Sequence, residues 1–254
     1  MDFKTCKMMD FKIRELVTYD IKHYAERGPV NIVICGDSVS HGALNGEFDY
    51  DTVYHNRLRS MINKHWQSMP VNVINTAVGG KRSDYALANF ERDVVPHRPD
   101  LVIICFGLND VNASMEAWHE NLGGLFDKCL ENGFECVYMT PNMLNTYRND
   151  NTALQHFDYA LKTADMQNSG RMDAYMEAAR EMAAERGIPV CDCYAEWKRM
   201  AAEGVDTTAL LCNYINHPTR EMHKLFADML FETIFGFPYS DEIGNAESGM
   251  YQKS

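Results

Sequence analysis

Residues 32–38 read Ile-Val-Ile-Cys-Gly-Asp-Ser. A short apolar run ends in a Gly36-Asp37-Ser38 turn, with Val39, Ser40, His41 and Gly42 behind it. Branched aliphatics closed by a glycine predict a buried strand over Val30–Cys35. In open α/β sheets, ligands bind beyond the carboxyl ends of the strands, where this turn presents a serine hydroxyl. A serine hydroxyl is a weak nucleophile by itself, so a nucleophilic Ser38 requires a base and preoriented oxyanion donors from elsewhere in the chain.

Four more runs of the same kind follow at Val71–Thr76, Asp100–Phe106, Phe134–Met139 and Ile188–Asp192. None alternates cleanly between apolar and polar, which predicts strands covered on both faces. Helical periodicity fills the gaps: Asp10–Arg27, Tyr54–Gln67, Ser83–Val95 with Ser83 as N-cap, Met115–Glu131, Met172–Arg186 and Thr219–Phe235. Alternating strand and helix predicts an α/β fold with a parallel sheet in one domain spanning 1–254, with its core over about 30–235. The segment 141–170 breaks the rhythm with Asn142, Asn145, Asn149, Asp150 and Asn151. It reads as a lid or substrate wall, or as a surface insertion, with a helix over Thr152–Ala164. The tail after Pro238 reads as mobile or edge-covering.

Composition narrows the function. Of 254 residues, 46% are hydrophobic and 24% charged, ordinary for a globular protein. A net charge of −12 repels phosphate backbones, which argues against nucleic acid as a partner. Met1–Lys12 has no signal-like apolar stretch, and no run is long enough to span a membrane. Reduced thiols are expected for the eight cysteines, so the expected location is cytoplasmic; a secreted form with its leader removed is the alternative. Cys191, Cys193 and Cys212 fit no zinc spacing, and Cys191 and Cys193 alternate as strand residues do. Gly79-Gly80-Lys81-Arg82-Ser83 lacks the spacing of a phosphate loop. No metal and no cofactor are expected.

Three strand ends carry chemistry: Gly36-Asp37-Ser38, Asn75 through Gly80, and Gly107-Leu108-Asn109-Asp110. A 2-1-3-4-5 strand order brings these turns to one crevice. His217-Pro218, in the loop before the last helix, offers a base. The backbone N–H groups of Ser38 and Gly80 and the Asn109 amide are the candidate oxyanion donors. Each element alone is an ordinary turn, cap or loop histidine, and their order gives them meaning. Ser38 lies in Gly-Asp-Ser-Val-Ser rather than the Gly-x-Ser-x-Gly of an α/β-hydrolase elbow.

These four blocks resemble the GDSL family of hydrolases, also called SGNH hydrolases. The likeness covers about residues 30–235. It implies a three-layer α/β/α sandwich on a flavodoxin-like five-stranded parallel sheet. It also implies Ser38 as nucleophile, Ser38, Gly80 and Asn109 as the oxyanion hole, and His217 as base. One departure stands out. The family's aspartate, roughly three residues before the histidine, fixes the imidazole tautomer, and amide replacement in a serine protease costs about 10⁴ in kcat. Here Asn213 and Tyr214 occupy that place. Either Asn213 or a nearby backbone carbonyl accepts the imidazole Nδ1–H, or Asp206 folds back to serve, or the enzyme is feeble.

Asp37, Asp110, Lys81 and Asn142 are the expected substrate contacts, with His41, Asn45, Arg82 and Asn112 as further polar neighbours. A small ester is the expected substrate, foremost an O-acetyl group on a sugar or oligosaccharide. A lysophospholipase or short-chain thioesterase is the second reading, and a non-catalytic carbohydrate-binding protein the third. Neither the leaving alcohol nor an oligomeric state is written in the motifs.

Overall fold

The computed structural model describes residues 11–240. Five parallel strands form one sheet in the order β2-β1-β3-β4-β5. They are β1 Val30–Gly36, β2 Val71–Asn75, β3 Leu101–Cys105, β4 Glu135–Met139 and β5 Val190–Cys191. The helices are α1 Lys12–Leu16, α2 Ile21–Arg27, α3 Ser38–His41, α4 Tyr54–His65, α5 Ser83–Ala88 and α6 Phe90–Asp93. They continue with α7 Met115–Glu131, α8 Phe157–Asn168, α9 Arg171–Glu185, α10 Cys193–Ala202 and α11 Arg220–Phe235. β3 is buried along its whole length and β1 nearly so. Edge strand β2 is partly exposed. Helices cover both faces: α4 and α11 pack together on one, while α5, α7 and α9 pack in series on the other. This is the expected α/β sandwich with the expected strand order.

Register sets the position of the site. Ile34 pairs with Asn75, and Gly36 with Cys105. β1, β2 and β3 therefore end at nearly one level, and their following turns meet above it. Gly36 has a steric reason: a Cβ there would lie 2.2 Å from Ser40 Oγ, because α3 folds back over the strand end.

Several boundaries differ from the sequence-based expectation. Asp10–Arg27 is two short helices, and Asp10 lies outside the described residues. The Asp20 carboxylate accepts the N–H groups of Lys22 and His23, which starts a new helix and leaves Ile21 74% exposed. Ser83–Val95 breaks at Asn89, whose amide donates to the Tyr85 carbonyl at 2.8 Å. Ser83 is not the N-cap; Arg82 holds that position without a side-chain capping bond, and the Ser83 hydroxyl donates to Asp110. Cys193 is not a strand residue: β5 ends at Cys191, and Asp192 caps α10, a helix the sequence reading did not include. Most of the tail after Pro238 lies outside the described residues.

The segment 141–170 is not a surface insertion along its first part. Asn142, Met143, Leu144 and Asn145 are buried. The Asn145 N–H donates to the Ile215 carbonyl at 2.9 Å, and the Asn142 amide to the Asn216 carbonyl at 3.0 Å. These asparagines are internal braces, since an amide satisfies buried backbone groups that an apolar residue would leave unpaired. They hold up the loop that carries His217. The segment's helix runs over Phe157–Asn168, later than expected.

Candidate active site

Ser38 opens α3 and is 8% exposed. Asp37 caps that helix through a 3.0 Å bond from the Val39 N–H to its Oδ1. His217 arrives from the far end of the chain on a loop closed by the Leu211–Pro218 bridge. Its Nε2 lies 2.9 Å from Ser38 Oγ, and its Nδ1 lies 2.9 Å from the Leu44 carbonyl oxygen. A carbonyl only accepts, so the Nδ1 must carry the proton. That leaves the Nε2 lone pair facing the serine hydroxyl, the tautomer a general base needs. Burial lowers the His217 pKa and so favours the neutral imidazole, while the hydrogen bond to the Leu44 carbonyl opposes that shift.

The two proposed side-chain orienters are elsewhere. Asn213 Oδ1 accepts the backbone N–H groups of Ile215, Asn216 and His217, at 3.0, 3.0 and 2.9 Å. It shapes the loop and does not meet the imidazole. Asp206 caps the turn Thr207–Leu210 and accepts the Tyr147 hydroxyl at 2.7 Å. Tyr214, at the position of the family's acid, sits at φ +56°. The imidazole's second partner is thus a main-chain oxygen, for which a sequence offers no side-chain signal.

The candidate oxyanion donors come from separate turns. Gly79 donates its N–H to His41 Nδ1 at 3.3 Å. The Gly80 N–H has no acceptor among the described residues, and neither does that of Ser38. Gly80 holds φ +74°, a conformation costly for residues with a Cβ. Asn109 Nδ2 donates to the Lys81 carbonyl at 3.0 Å, tying the two turns together. Its other contact, with Asp37 Oδ2, is 3.5 Å, too long to satisfy an N–H.

Of the expected substrate contacts, only Lys81 faces open space; it lines a cleft of about 710 Å³ with Gly80, Tyr85, Asn89, Asn109 and Asn112. Ser38 and His217 do not line this cleft; Gly79, next to its lining residue Gly80, packs beside Ser38, where an added Cβ would fall 3.8 Å from the serine Cβ. Asp37, Asp110 and Asn142 are buried. Asp110 accepts the Ser83 N–H at 2.9 Å and so anchors α5 to the end of β3. On the other flank of Ser38, His41 packs against Phe48 and Tyr50, with ring centroids 4.7 and 6.0 Å away. The last two are 53% and 57% exposed. From the 141–170 segment, Tyr159 stands near Asn112 and Asp37, and burial raises its pKa. Among the described residues no group of three or more His, Cys, Asp or Glu side chains is placed to hold a metal ion. All seven described cysteines are free.

Asp37 gives a pH-dependent prediction. Its pKa is pushed from 3.8 to about 7, first by burial and then by the nearby Asp110 charge, with the Val39 N–H opposing. Between those values the folded protein keeps a proton that the unfolded chain has lost. Stability contributed by the neutral acid therefore falls as pH rises through the window. Asp37→Asn keeps the helix cap and removes the titration. Relative to the parent, the variant should gain on the order of 2 kcal/mol of stability between about pH 5 and about pH 7. Urea unfolding at both values measures it; a difference that does not change with pH defeats the assignment.

The model of the GDSL-like lipase/acylhydrolase family matches residues 34–225. The chain belongs to that family. This GDSL-type protein is a carboxylic ester hydrolase. It is 22% identical over 195 residues to the uncharacterized lipoprotein YqeF of Bacillus subtilis strain 168, covering 72% of this chain and 77% of that one. Its fold resembles a variant of Axe2, an acetyl xylan esterase from Geobacillus stearothermophilus. That match has a TM-score of 0.65 and 20% identity over 83% of this chain and 96% of the other. The fold is also similar to that of LAE5, an α/β hydrolase enzyme from the metagenome of Lake Arreo, Spain. Here the TM-score is 0.64 at 19% identity, covering 81% and 94%. No helix among the described residues is long and apolar enough to cross a membrane.

Proposed function

We propose that Ser38 is the nucleophile and His217 the base of an acyl-enzyme mechanism. The 2.9 Å contact between His217 Nε2 and Ser38 Oγ carries this reading. His217 takes the hydroxyl proton as Oγ attacks the ester carbonyl. The resulting oxyanion meets the N–H groups of Ser38 and Gly80 and the Asn109 amide. The imidazolium then returns its proton to the leaving alcohol, and water repeats the cycle on the acyl-enzyme. Catalytic mutants of Axe2 include a serine, a histidine and an aspartate three residues before that histidine. At the corresponding spacing this chain has Tyr214, and the Leu44 carbonyl takes the orienting place. A dipole stabilises an imidazolium less than a carboxylate does, so the reading is a working but slower enzyme.

The favoured substrate is an O-acetylated carbohydrate. The likeness to an acetyl xylan esterase supports it, as do the flanks of Ser38. One flank is a cleft edged by the amides of Asn89, Asn109 and Asn112, suited to hydroxyl groups. The other presents Phe48 and Tyr50, whose exposed rings suit the apolar face of a sugar. Free thiols favour a reducing compartment, while the lipoprotein relative speaks for export.

The test compares acetate release from acetylated xylo-oligosaccharides with hydrolysis of p-nitrophenyl esters of increasing acyl length. Sugar-ester turnover with activity falling beyond acetyl is the expected result. A preference for long acyl chains points instead to a lysophospholipase or thioesterase. Replacing both Phe48 and Tyr50 by alanine should lower kcat/KM for the sugar ester about tenfold relative to p-nitrophenyl acetate, through KM. An unchanged ratio removes the rings from the substrate site.

A further inference from the structure

The 42–49 loop leaves α3 beside Ser38 and turns back on itself. Ala43 and Phe48 form an antiparallel bridge, and the Leu44 N–H donates to the Glu47 carbonyl at 2.8 Å. A shift of Glu47 is therefore passed directly to Leu44. Asn45, Gly46, Glu47 and Phe48 are exposed, so burial does little to fix the outer part of the loop. Ala43 and Leu44 are buried, and the base of the loop is closed by the Ala43 N–H on the Ser38 carbonyl and the Asp49 N–H on the Gly42 carbonyl. Beyond that base, two contacts from a single short stretch of chain hold it. His217 Nδ1 donates to the Leu44 carbonyl at 2.9 Å. Just beyond Pro218 and Thr219, the Arg220 guanidinium spans two carboxylates, Glu47 Oε1 at 2.9 Å and Asp49 Oδ2 at 2.6 Å. Asp49 Oδ2 also accepts the Thr52 hydroxyl at 2.7 Å, and its Oδ1 accepts the N–H groups of Asp51 and Thr52.

This arrangement matters because of what orients the base. A carboxylate attracts the imidazole by charge from a range of positions. A carbonyl acts only through its dipole, along a narrower set of directions, and is as well placed as the loop that carries it. We propose that Arg220 is a positioning residue for ester hydrolysis. By clamping Glu47 and Asp49, it holds the Leu44 carbonyl against His217 Nδ1 and supplies the orientation that an acid at position 214 would otherwise provide. The proposal rests on the reading of Ser38 and His217 as nucleophile and base. Exposed ion pairs contribute little to stability, so the consequence is expected in geometry. A displacement of about 1 Å at a catalytic group can cost up to about 10²-fold in rate.

The experiment measures p-nitrophenyl acetate hydrolysis on the full chain, with kcat expressed per site titrated by a fluorophosphonate. Arg220→Gln should lower kcat per site roughly tenfold and leave KM within about twofold. Arg220→Lys should recover part of the loss, because an ammonium cannot match the planar fork across two carboxylates. Glu47→Gln combined with Asp49→Asn opens the clamp from the other side, keeps an amide oxygen for the N–H groups of Asp51 and Thr52, and should give the same loss. In proton NMR, the downfield His217 Nδ1–H signal should broaden in the variants whose kcat falls. Unchanged kcat per site in both the Arg220→Gln and the double variant overturns the proposal, whatever happens to their melting temperatures. If the parent protein neither reacts with the probe nor turns over ester, the Ser38–His217 reading fails and the clamp falls with it. That result differs from a labelled, active enzyme indifferent to Arg220.

Discussion

Ser38→Ala should abolish both ester turnover and covalent labelling by a fluorophosphonate while the protein stays folded. The size of the effect follows from the chemistry. Without Oγ there is no acyl-enzyme, and the remaining oxyanion donors can only assist direct attack by water. In serine hydrolases such losses run to about 10⁴–10⁶ in kcat. Stability should change little, because Ser38 Oγ has His217 as its partner and the cap on α3 comes from Asp37. His217→Ala should cost nearly as much, and the double variant little more than either single one, since the two side chains act as one unit. Peptide mapping of the labelled parent should place the probe on Ser38. Labelling at another residue, or activity surviving Ser38→Ala, would move the nucleophile elsewhere.

The fold and the four blocks could be read from the sequence because each leaves a local mark. Buried parallel strands appear as uninterrupted aliphatic runs, and β1 and β3 are the most continuous. Turns at strand ends carry glycines and polar side chains, and the 2-1-3-4-5 order follows from alternating strand and helix once a switch point is assumed. The structure departs from the periodicity where a side chain competes with the helix for backbone groups. Asp20 and Asn89 each satisfy backbone groups locally and break a helix that the apolar spacing would continue. The brace asparagines Asn142 and Asn145 misled for a related reason. Their composition suggests a solvated loop, whereas their amides pair with backbone carbonyls in the interior.

The orientation of His217 was the least legible feature. Its partner is the Leu44 main-chain carbonyl, and any residue at position 44 would present the same atom. The charges that hold that loop, Glu47, Asp49 and Arg220, look like ordinary surface residues until the chain ends are brought together. Asp206 was a candidate only because it is a carboxylate at a convenient distance along the chain. Its bonds to Tyr147 and Ala209 show that it is committed to its own turn.

Asn109→Ala is expected to lower kcat by about 10²–10³, or about 3–4 kcal/mol of transition-state stabilisation, with KM nearly unchanged. The asymmetry arises because the amide meets charge only when the carbonyl oxygen becomes an oxyanion. A ground-state ester oxygen gains less from the same donor. In the resting site one N–H of Asn109 is used on Lys81 and the other is aimed near Asp37 at a distance that leaves it available. The burial that raises the Asp37 pKa favours the neutral acid there, and a neutral neighbour neither draws the donor away nor repels the developing negative charge. Asn109→Asp separates shape from charge: it keeps the side-chain volume, loses both donors and adds a repelling carboxylate, so it should fall below Asn109→Ala. The alternative account is structural, through the bond to Lys81 that ties the Gly80 turn to the end of β3. It predicts a drop in melting temperature in step with activity and no excess loss for aspartate. Steady-state kinetics beside thermal melts decides between them: an Asn109→Ala protein within about tenfold of the parent in kcat would remove its amide from the oxyanion hole.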